Sequence, residues 1–167
     1  MQGEGKLQFL PKILLAILVT GAIVVGAGFS GALFSVWPVF WPDQSLVVTS
    51  AEIAELRALR AERKFVPDPR IFYPGAVTPE RRQASELLVN GLVDTLIRDL
   101  PGHPTKGAVL SRMKAALAAY PVSDSEDQDR LLRYFEQVLD ILKISSSNEL
   151  FNVWRYGFPY RWVRGFR

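Results

Sequence analysis

The strongest constraint on this chain is an uncharged apolar run near its N-terminus. The run extends from Ile13 to Trp37 (ILLAILVTGAIVVGAGFSGALFSVW) and contains no charged side chain. About 25 residues of helix measure roughly 37 Å, whereas the hydrocarbon core of a bilayer is ~30 Å thick. The alternative is a cleaved signal peptide, but the run is longer than the apolar region of such peptides and ends in Trp-Pro rather than in small residues. The sequence therefore predicts a transmembrane helix at residues 13–37.

Flanking charges predict the orientation of this helix. Lys6 and Lys12 precede it against the single acid Glu4, and no Lys or Arg follows it until Arg57. Because positive flanks stay on the cytoplasmic side, we expect residues 1–12 to form a cytoplasmic tail. The protein would then be a single-pass protein of the inner (cytoplasmic) membrane with a periplasmic, extracytoplasmic C-terminal domain. The aromatic residues expected at the membrane interface beyond the helix are Trp37, Phe40 and Trp41.

A stripe of small residues lies along the predicted transmembrane helix. Ala22, Gly26 and Ser30 recur at four-residue spacing, which lets another helix backbone approach closely in lipid. The alternative is that glycine and alanine are simply common in membrane helices. We expect the stripe to pack against a helix of a partner membrane protein. Since the run has no ionisable side chain, it supplies neither a haem ligand nor a proton relay, and no cofactor is expected.

Residues 38–77 are expected to form an interfacial segment, an amphipathic helix and a proline-rich linker. Thr49 and Glu52 have the spacing of a capping box, which opens a helix that reaches about Lys64. The stretch that follows, FVPDPRIFYPGAV, contains three prolines. Successive prolines exclude a helix and favour extended chain, so this stretch is expected to lie along a surface.

Residues 78–158 are expected to form a helical bundle. Thr78, Pro79 and Glu80 are typical of a helix start, and the helix that they open has a wide apolar face suited to the centre of the bundle. The fold class is therefore all-α, with one N-terminal transmembrane helix and a small extramembrane bundle of four to five helices. Apart from the amphipathic helix, the expected helices lie at about 79–100, 105–119 and 124–143, with a short last helix near Leu150.

Residue types that carry catalysis are scarce. The chain has no cysteine, and its one histidine, His103, lies in a Pro-Gly-His-Pro turn with no second ligand or nucleophile to support it. The acidic run that begins at Asp124 lacks the glycine and the glutamate that a calcium loop requires. It is more typical of acids in the first turn of a helix. We expect no enzyme activity, no metal site and no small-molecule substrate.

The C-terminal end combines aromatic side chains with arginine. After Pro159 the segment YRWVRGFR is too short and too polar to pack on itself, so residues 159–167 are expected to be a contact tail. Flat aromatic and guanidinium groups suit a protein interface and also the headgroup layer of a membrane. Nucleic acid is not an expected partner of a tethered extracytoplasmic domain. The candidate contact residues are Arg155, Tyr160, Arg161, Trp162, Arg164, Phe166 and Arg167.

The aromatic pattern of the last two expected helices resembles an uncharacterised family of small bacterial helical domains. The pattern consists of Tyr134-Phe135-Glu136, Asp140-Ile141-Leu142 and Trp154-Arg155-Tyr156-Gly157-Phe158. The resemblance covers at most residues 78–158. It implies a bacterial helical domain and no activity.

These features together predict a non-enzymatic accessory or scaffolding subunit of a multi-subunit bacterial membrane complex. Respiratory, photosynthetic, secretion and envelope assemblies all fit. The expected partners are other membrane-protein subunits and the lipid bilayer. The alternative is a stand-alone, membrane-tethered binding module for a soluble protein, peptide or lipid ligand.

Overall fold

A computed structural model of the protein describes residues 19–20, 31–37, 43–121 and 124–159. The regular structure in these residues is helical, and β-type pairing among them is limited to two isolated bridges. This confirms the all-α part of the predicted fold class. The chain divides into two compact units, one formed by Met1–Trp37 with Asn152–Arg167 and the other by Pro38–Phe151.

From residue 43 onwards, the described residues contain five α-helices and one short 3₁₀ helix. The 3₁₀ helix, Pro69–Ile71, lies between the first two α-helices. The positions of the α-helices agree with the helices that caps and apolar spacing predict. Their bounds are Ser50–Ala61 (α1), Pro79–Asp99 (α2), Lys106–Ala119 (α3), Ser125–Ile141 (α4) and Leu150–Tyr156 (α5).

Side-chain caps define where α1 to α4 begin. Thr49, Thr78, Thr105 and Asp124 each accept a hydrogen bond from a backbone amide in the first turn of the helix that follows. A cap of this kind stabilises a helix by about 1 kcal/mol because it satisfies an amide that has no partner within the helix. The acids that follow Asp124 lie in the first turn of α4, which confirms their interpretation as helix-start residues.

The structure contradicts the predicted transmembrane helix. No helix in the part of the chain that is described is long and apolar enough to cross a membrane. Within the predicted span of 13–37, helix is described at residues 19–20 and 31–36, and the other residues, apart from Trp37, lie outside the described ranges. A helix needs about 20 apolar residues to cross the hydrocarbon core. The prediction of a single-pass inner-membrane protein with an extracytoplasmic domain rests on this helix and is wrong on the same finding.

Helix α2 lies at the centre of the Pro38–Phe151 unit, as its wide apolar face predicted. It packs against α1, α3 and α4, and α1 also packs against α4. Burying a large apolar side chain, such as leucine or phenylalanine, contributes roughly 1.5–3 kcal/mol to stability. The buried side chains of the four helices therefore dominate the stability of the unit. Fully buried examples are Leu56, Val93, Met113, Leu131 and Phe135.

Helix α1 is therefore part of the bundle, although the sequence placed the bundle at residues 78–158. Its buried carboxylate, Glu52, completes the capping box with Thr49 and also accepts a hydrogen bond from Lys143, at 2.7 Å. Lys143 follows the end of α4, so this ion pair joins the start of α1 to the end of α4. The bond from Lys143, and after it those from Thr49, lower the pKa of Glu52 to about 2.

The segment before α1 is tied to the start of α3. The amide of Lys106 donates to the carbonyl of Gln44 over 2.8 Å, and the amide of Gly107 donates to Oδ1 of Asp43 over 2.7 Å. The hydrogen bond from the Gly107 amide, followed by a side-chain hydrogen bond with Thr105, lowers the pKa of Asp43. A Cβ at position 107 would stand 2.9 Å from the Asp43 carboxylate, so a larger residue there would displace this carboxylate.

Replacing Glu52 should change how the protein responds to acid. Because the pKa of Glu52 falls from 4.5 to about 2 on folding, its charge contributes stability that is complete above about pH 4.5 and is lost as the pH falls towards 2. Glu52→Gln should be less stable than wild type at pH 7 and should lose less of its free energy of unfolding between about pH 5 and pH 2.5. Denaturant unfolding followed by circular dichroism measures both quantities.

The matched control is Glu136→Gln, which removes an exposed carboxylate from α4. This variant should keep the acid response of the wild type. An equal loss of stability in acid for Glu52→Gln and wild type would contradict the proposed role of Glu52.

Candidate functional site

A closed loop between α1 and α2 is the main surface feature of the Pro38–Phe151 unit; we call it the 65–76 loop. Its ends are joined by a hydrogen bond of 3.1 Å, which the amide of Ala76 donates to the carbonyl of Phe65. Within it, Asp68 and Tyr73 exchange two backbone hydrogen bonds, of 2.9 and 3.1 Å. The chain between them includes the 3₁₀ helix, which Asp68 caps. The loop is therefore compact and closed, in contrast to the extended chain that its prolines favoured.

Two aromatic side chains bury the base of the loop against α4. The ring of Phe65 lies 5.2 Å from that of Tyr134, centre to centre, and the Phe65 amide donates to the Tyr134 hydroxyl over 3.0 Å. Tyr73 is also buried, and its hydroxyl donates to the carboxylate of Asp127. Burial, followed by the bond to Asp127, raises the pKa of Tyr73 well above its usual value. These contacts hold both sides of the loop to one helix.

Arg130 of α4 adds a third contact to the base of the loop. Its guanidinium lies 5.4 Å from the ring centre of Tyr73 and 5.0 Å from that of Tyr134, within the range of a cation–π interaction. It also forms an ion pair of 3.5 Å with Asp68. The pKa of Asp68 is lowered mainly by its hydrogen bond from Arg70, with a smaller contribution from the charge of Arg130. The charges of Arg130 and Asp68 therefore offset one another at the base of the loop.

Asp127 is the least satisfied group at the base. It is 2% exposed, and while Oδ1 accepts the bond from Tyr73, Oδ2 is buried without a hydrogen-bond partner. An unpaired buried polar atom costs about 1–3 kcal/mol. The position of Asp127 in the first turn of α4 offsets part of this cost, because the helix dipole favours negative charge there. The hydrogen bond from the Tyr73 hydroxyl is therefore important for stabilising the buried carboxylate of Asp127.

Lys64 closes the other side of the base. This side chain is completely buried, and its ammonium donates to the carbonyls of Leu59 and Glu62, at 2.6 and 3.0 Å. These carbonyls belong to the C-terminal end of α1, where the helix dipole favours a cation. Burial is the largest influence on Lys64 and lowers its pKa. These bonds therefore fix the start of the 65–76 loop against the end of α1.

The far end of the loop exposes three side chains, Arg70, Ile71 and Phe72, which we call the 70–72 tip. Phe72 is 93% exposed and the side chain of Arg70 is 89% exposed. Phe72 also has φ of 55°, in the left-handed region that costs residues other than glycine about 1–2 kcal/mol. A large aromatic side chain is thus held in water, in an unfavourable backbone conformation, on a loop whose base is fixed.

Most of the contact residues predicted from the sequence lie outside the described residues. Of the two that are described, Trp37 is buried, with 1% exposed, and the guanidinium of Arg155 lies 5.2 Å from the ring centre of Tyr156. The contact role of the C-terminal tail stays a prediction. The residues outside the described ranges are Ala22, Gly26, Ser30, Phe40, Trp41, Tyr160, Arg161, Trp162, Arg164, Phe166 and Arg167.

The other places considered for a site are metal-binding clusters, His103 and a groove near the C-terminal helix. Within the described ranges, no group of three or more His, Asp or Glu side chains is placed to hold a metal ion. His103 is exposed in its turn, as expected from the prolines on either side. In the unit formed by Met1–Trp37 and Asn152–Arg167, an open groove of about 320 Å³ has a lining without charged side chains. Its lining residues are Gly31, Phe34, Val153, Trp154, Tyr156 and Gly157.

The fold and the surface together define a small all-α domain that carries an anchored, projecting loop. The chain belongs to the family described as Domain of unknown function (DUF4844), whose model matches residues 47–159. This confirms the resemblance to an uncharacterised family and extends it from residue 78 back to the start of α1. The match therefore includes α1 to α5 and the whole 65–76 loop. No curated protein and no solved structure matches the chain significantly.

Sequence reasoning missed the 70–72 tip because it treated the loop as a linker. The signal that was present is the run Ile71-Phe72-Tyr73 between prolines, which is too apolar for an ordinary solvated connection. That signal does not tell which of two neighbouring aromatic residues is buried. Contacts with α4, distant in sequence, decide that Tyr73 points inwards and Phe72 outwards.

Removing the Tyr73 hydroxyl should destabilise the unit. Tyr73→Phe leaves the buried carboxylate of Asp127 without its donor, so the free energy of unfolding should fall by about 1–3 kcal/mol. Denaturant unfolding at pH 7 measures the change. Tyr156→Phe, which removes a more exposed hydroxyl, is the control and should have little effect.

A double-mutant cycle separates this bond from general effects on packing. Tyr73→Phe combined with Asp127→Ala should cost less than the sum of the two single substitutions, because each removes the same interaction. Additive costs would show that the two side chains are not coupled.

Proposed function

We propose that the Pro38–Phe151 unit is a non-enzymatic protein-binding domain, which acts as an accessory or scaffolding element by docking a partner protein on the 70–72 tip. The observation that carries this proposal is the state of Phe72. Its side chain is exposed, and its backbone lies in the unfavourable left-handed region. The proposed role in binding a protein replaces the predicted role in a membrane complex, and it does not require a transmembrane helix.

The energetic state of Phe72 supports a binding role. Exposing a large aromatic ring forgoes the roughly 1.5–3 kcal/mol that its burial would contribute. The left-handed backbone adds a further cost that glycine or asparagine would reduce. Residues held in such conformations cluster at binding sites, where the surrounding structure keeps them in place. A partner that buries the Phe72 ring would recover the first of these costs.

The base of the loop supports the same role, because it holds the tip before any partner arrives. Tyr73 and Phe65 are buried on either side of the tip, and each bonds to a side chain of α4. A partner would therefore not have to order the loop, which normally costs about 0.5–1.5 kcal/mol for each side chain immobilised on binding. Aromatic residues held in this way are the usual energetic centres of protein interfaces.

Substitution of Phe72 should not reduce the stability of the domain. Phe72→Gly removes the left-handed strain and the exposed ring, so the free energy of unfolding should be unchanged or higher by up to about 1 kcal/mol, after the greater entropy of glycine in the unfolded chain is allowed for. Denaturant unfolding measures this. A loss of more than about 1 kcal/mol would show that Phe72 supports the fold, against its assignment as a contact residue.

Site-specific photo-crosslinking in the native host tests the binding role. A photoreactive phenylalanine at position 72 of the full-length chain should give one dominant crosslinked protein. The same group at position 87 is the control, because Leu87 is an exposed apolar residue on α2, 63% exposed, and lies outside the loop. Excess wild-type protein should suppress the crosslink, whereas excess Phe72→Gly should not. Identical products at positions 72 and 87, or equal suppression by both competitors, would reject the proposal.

A further inference from the structure

The electrostatic character of the 70–72 tip narrows the chemistry of its partner. Asp68 and Arg70 are the charged residues of the 65–76 loop. The Asp68 carboxylate is turned towards the loop itself: it accepts bonds from the amide of Arg70 at 3.2 Å and from the Arg70 guanidinium at 3.1 Å, and it pairs with Arg130. Its side chain is only 13% exposed, against 89% for Arg70. The charge that the tip presents to solvent is therefore positive.

Apolar surface surrounds this positive charge. Ile71 and Phe72 follow Arg70 directly, and Pro69 and Pro74 on either side of the tip are also exposed. The tip thus offers an aromatic anchor with a guanidinium beside it. A complementary surface needs a pocket for the ring and carboxylates at the edge of that pocket, where an exposed arginine can reach them without losing all of its water.

The backbone of the loop excludes two common ways of binding peptides. Asp68 and Tyr73 use their amides and carbonyls on each other, so these residues cannot add a strand to a partner sheet. The 3₁₀ helix followed by a left-handed Phe72 is also not the extended polyproline conformation that proline-binding grooves recognise. We therefore expect the partner to recognise the exposed side chains of the closed loop and not its backbone.

We propose that the 70–72 tip docks into an apolar pocket, rimmed by Asp or Glu side chains, on a folded partner protein. Phe72 and Ile71 enter the pocket, and Arg70 pairs with the acidic rim. This inference rests on the proposed protein-binding function and adds the chemistry of the partner surface to it.

Charge reversal at position 70 tests the inference in the full-length protein. The photoreactive group stays at position 72, and Arg70→Glu is compared with Arg70→Lys. Like charges across an interface repel each other, so Arg70→Glu should lower the crosslinking yield by roughly tenfold or more. Arg70→Lys keeps the charge and should retain most of the yield. Arg57→Glu, at an exposed position of α1, makes the same change of net charge outside the loop and should have little effect.

The crosslinked site on the partner provides an independent readout. Mass spectrometry should place the crosslink on apolar residues of the partner, with Asp or Glu side chains adjoining them. Raising the salt concentration should lower the yield for wild type more than for Arg70→Glu, because screening weakens an attraction that the variant lacks. Thermal unfolding of each variant confirms that the bundle is folded. Because Arg70→Glu also loses the bond to Asp68, the salt dependence and the crosslinked site on the partner decide whether a lost crosslink reports on the interface.

The outcomes separate this inference from the proposed function. A crosslink specific to position 72 that is equally strong in Arg70→Glu and Arg57→Glu, or that maps to a surface without carboxylates, would overturn the acidic rim and leave the protein-binding role intact. A crosslink specific to position 72 that joins two copies of this chain, or that joins the chain to lipid, would also overturn the inference. Absence of any crosslink specific to position 72 would overturn both.

Discussion

The hydrogen bond between Tyr73 and Asp127 connects the fold of this protein to its candidate binding surface. It joins the 65–76 loop to the first turn of α4, which in turn packs on α1 and α2 in the core. Asp127 has an unpaired second oxygen, so the bond cannot be lost without leaving the whole carboxylate unsatisfied in a buried position. The base of the loop is therefore fixed to the helical bundle, and this attachment also restricts the conformation of the 70–72 tip.

The same arrangement explains how an unfavourable residue can persist at the tip. A flexible loop would relax Phe72 out of the left-handed region, whereas this loop is closed by paired backbone bonds and held at its base by two buried aromatic side chains. The cost at position 72 is small compared with the burial of the core, so the domain tolerates it. A fixed aromatic side chain with an exposed arginine beside it is a suitable anchor for a protein partner, since little flexibility remains to be lost on binding.

Much of the fold could be predicted from the sequence, but the membrane assignment could not. The helix starts at Thr49 and Thr78 follow from side chains that cap amides within one turn, and that chemistry needs no distant partner. An apolar run shows only that a segment favours apolar surroundings, which lipid and protein interiors both supply. Trp37 illustrates the ambiguity, since the indole expected at a membrane boundary is buried within the protein.

The sequence by itself determined the all-α class, the approximate positions of α1 to α4 and the central place of α2, because caps and apolar spacing act over a few residues. Only the tertiary structure decided that α1 belongs to the bundle, through Leu56 in the core and the ion pair between Glu52 and Lys143. It also decided which of two neighbouring aromatic residues faces the solvent. Phe72 and Tyr73 are nearly alike in local preference, and the hydroxyl of Tyr73 turns inwards because Asp127, 54 residues away in the chain, offers it a buried acceptor.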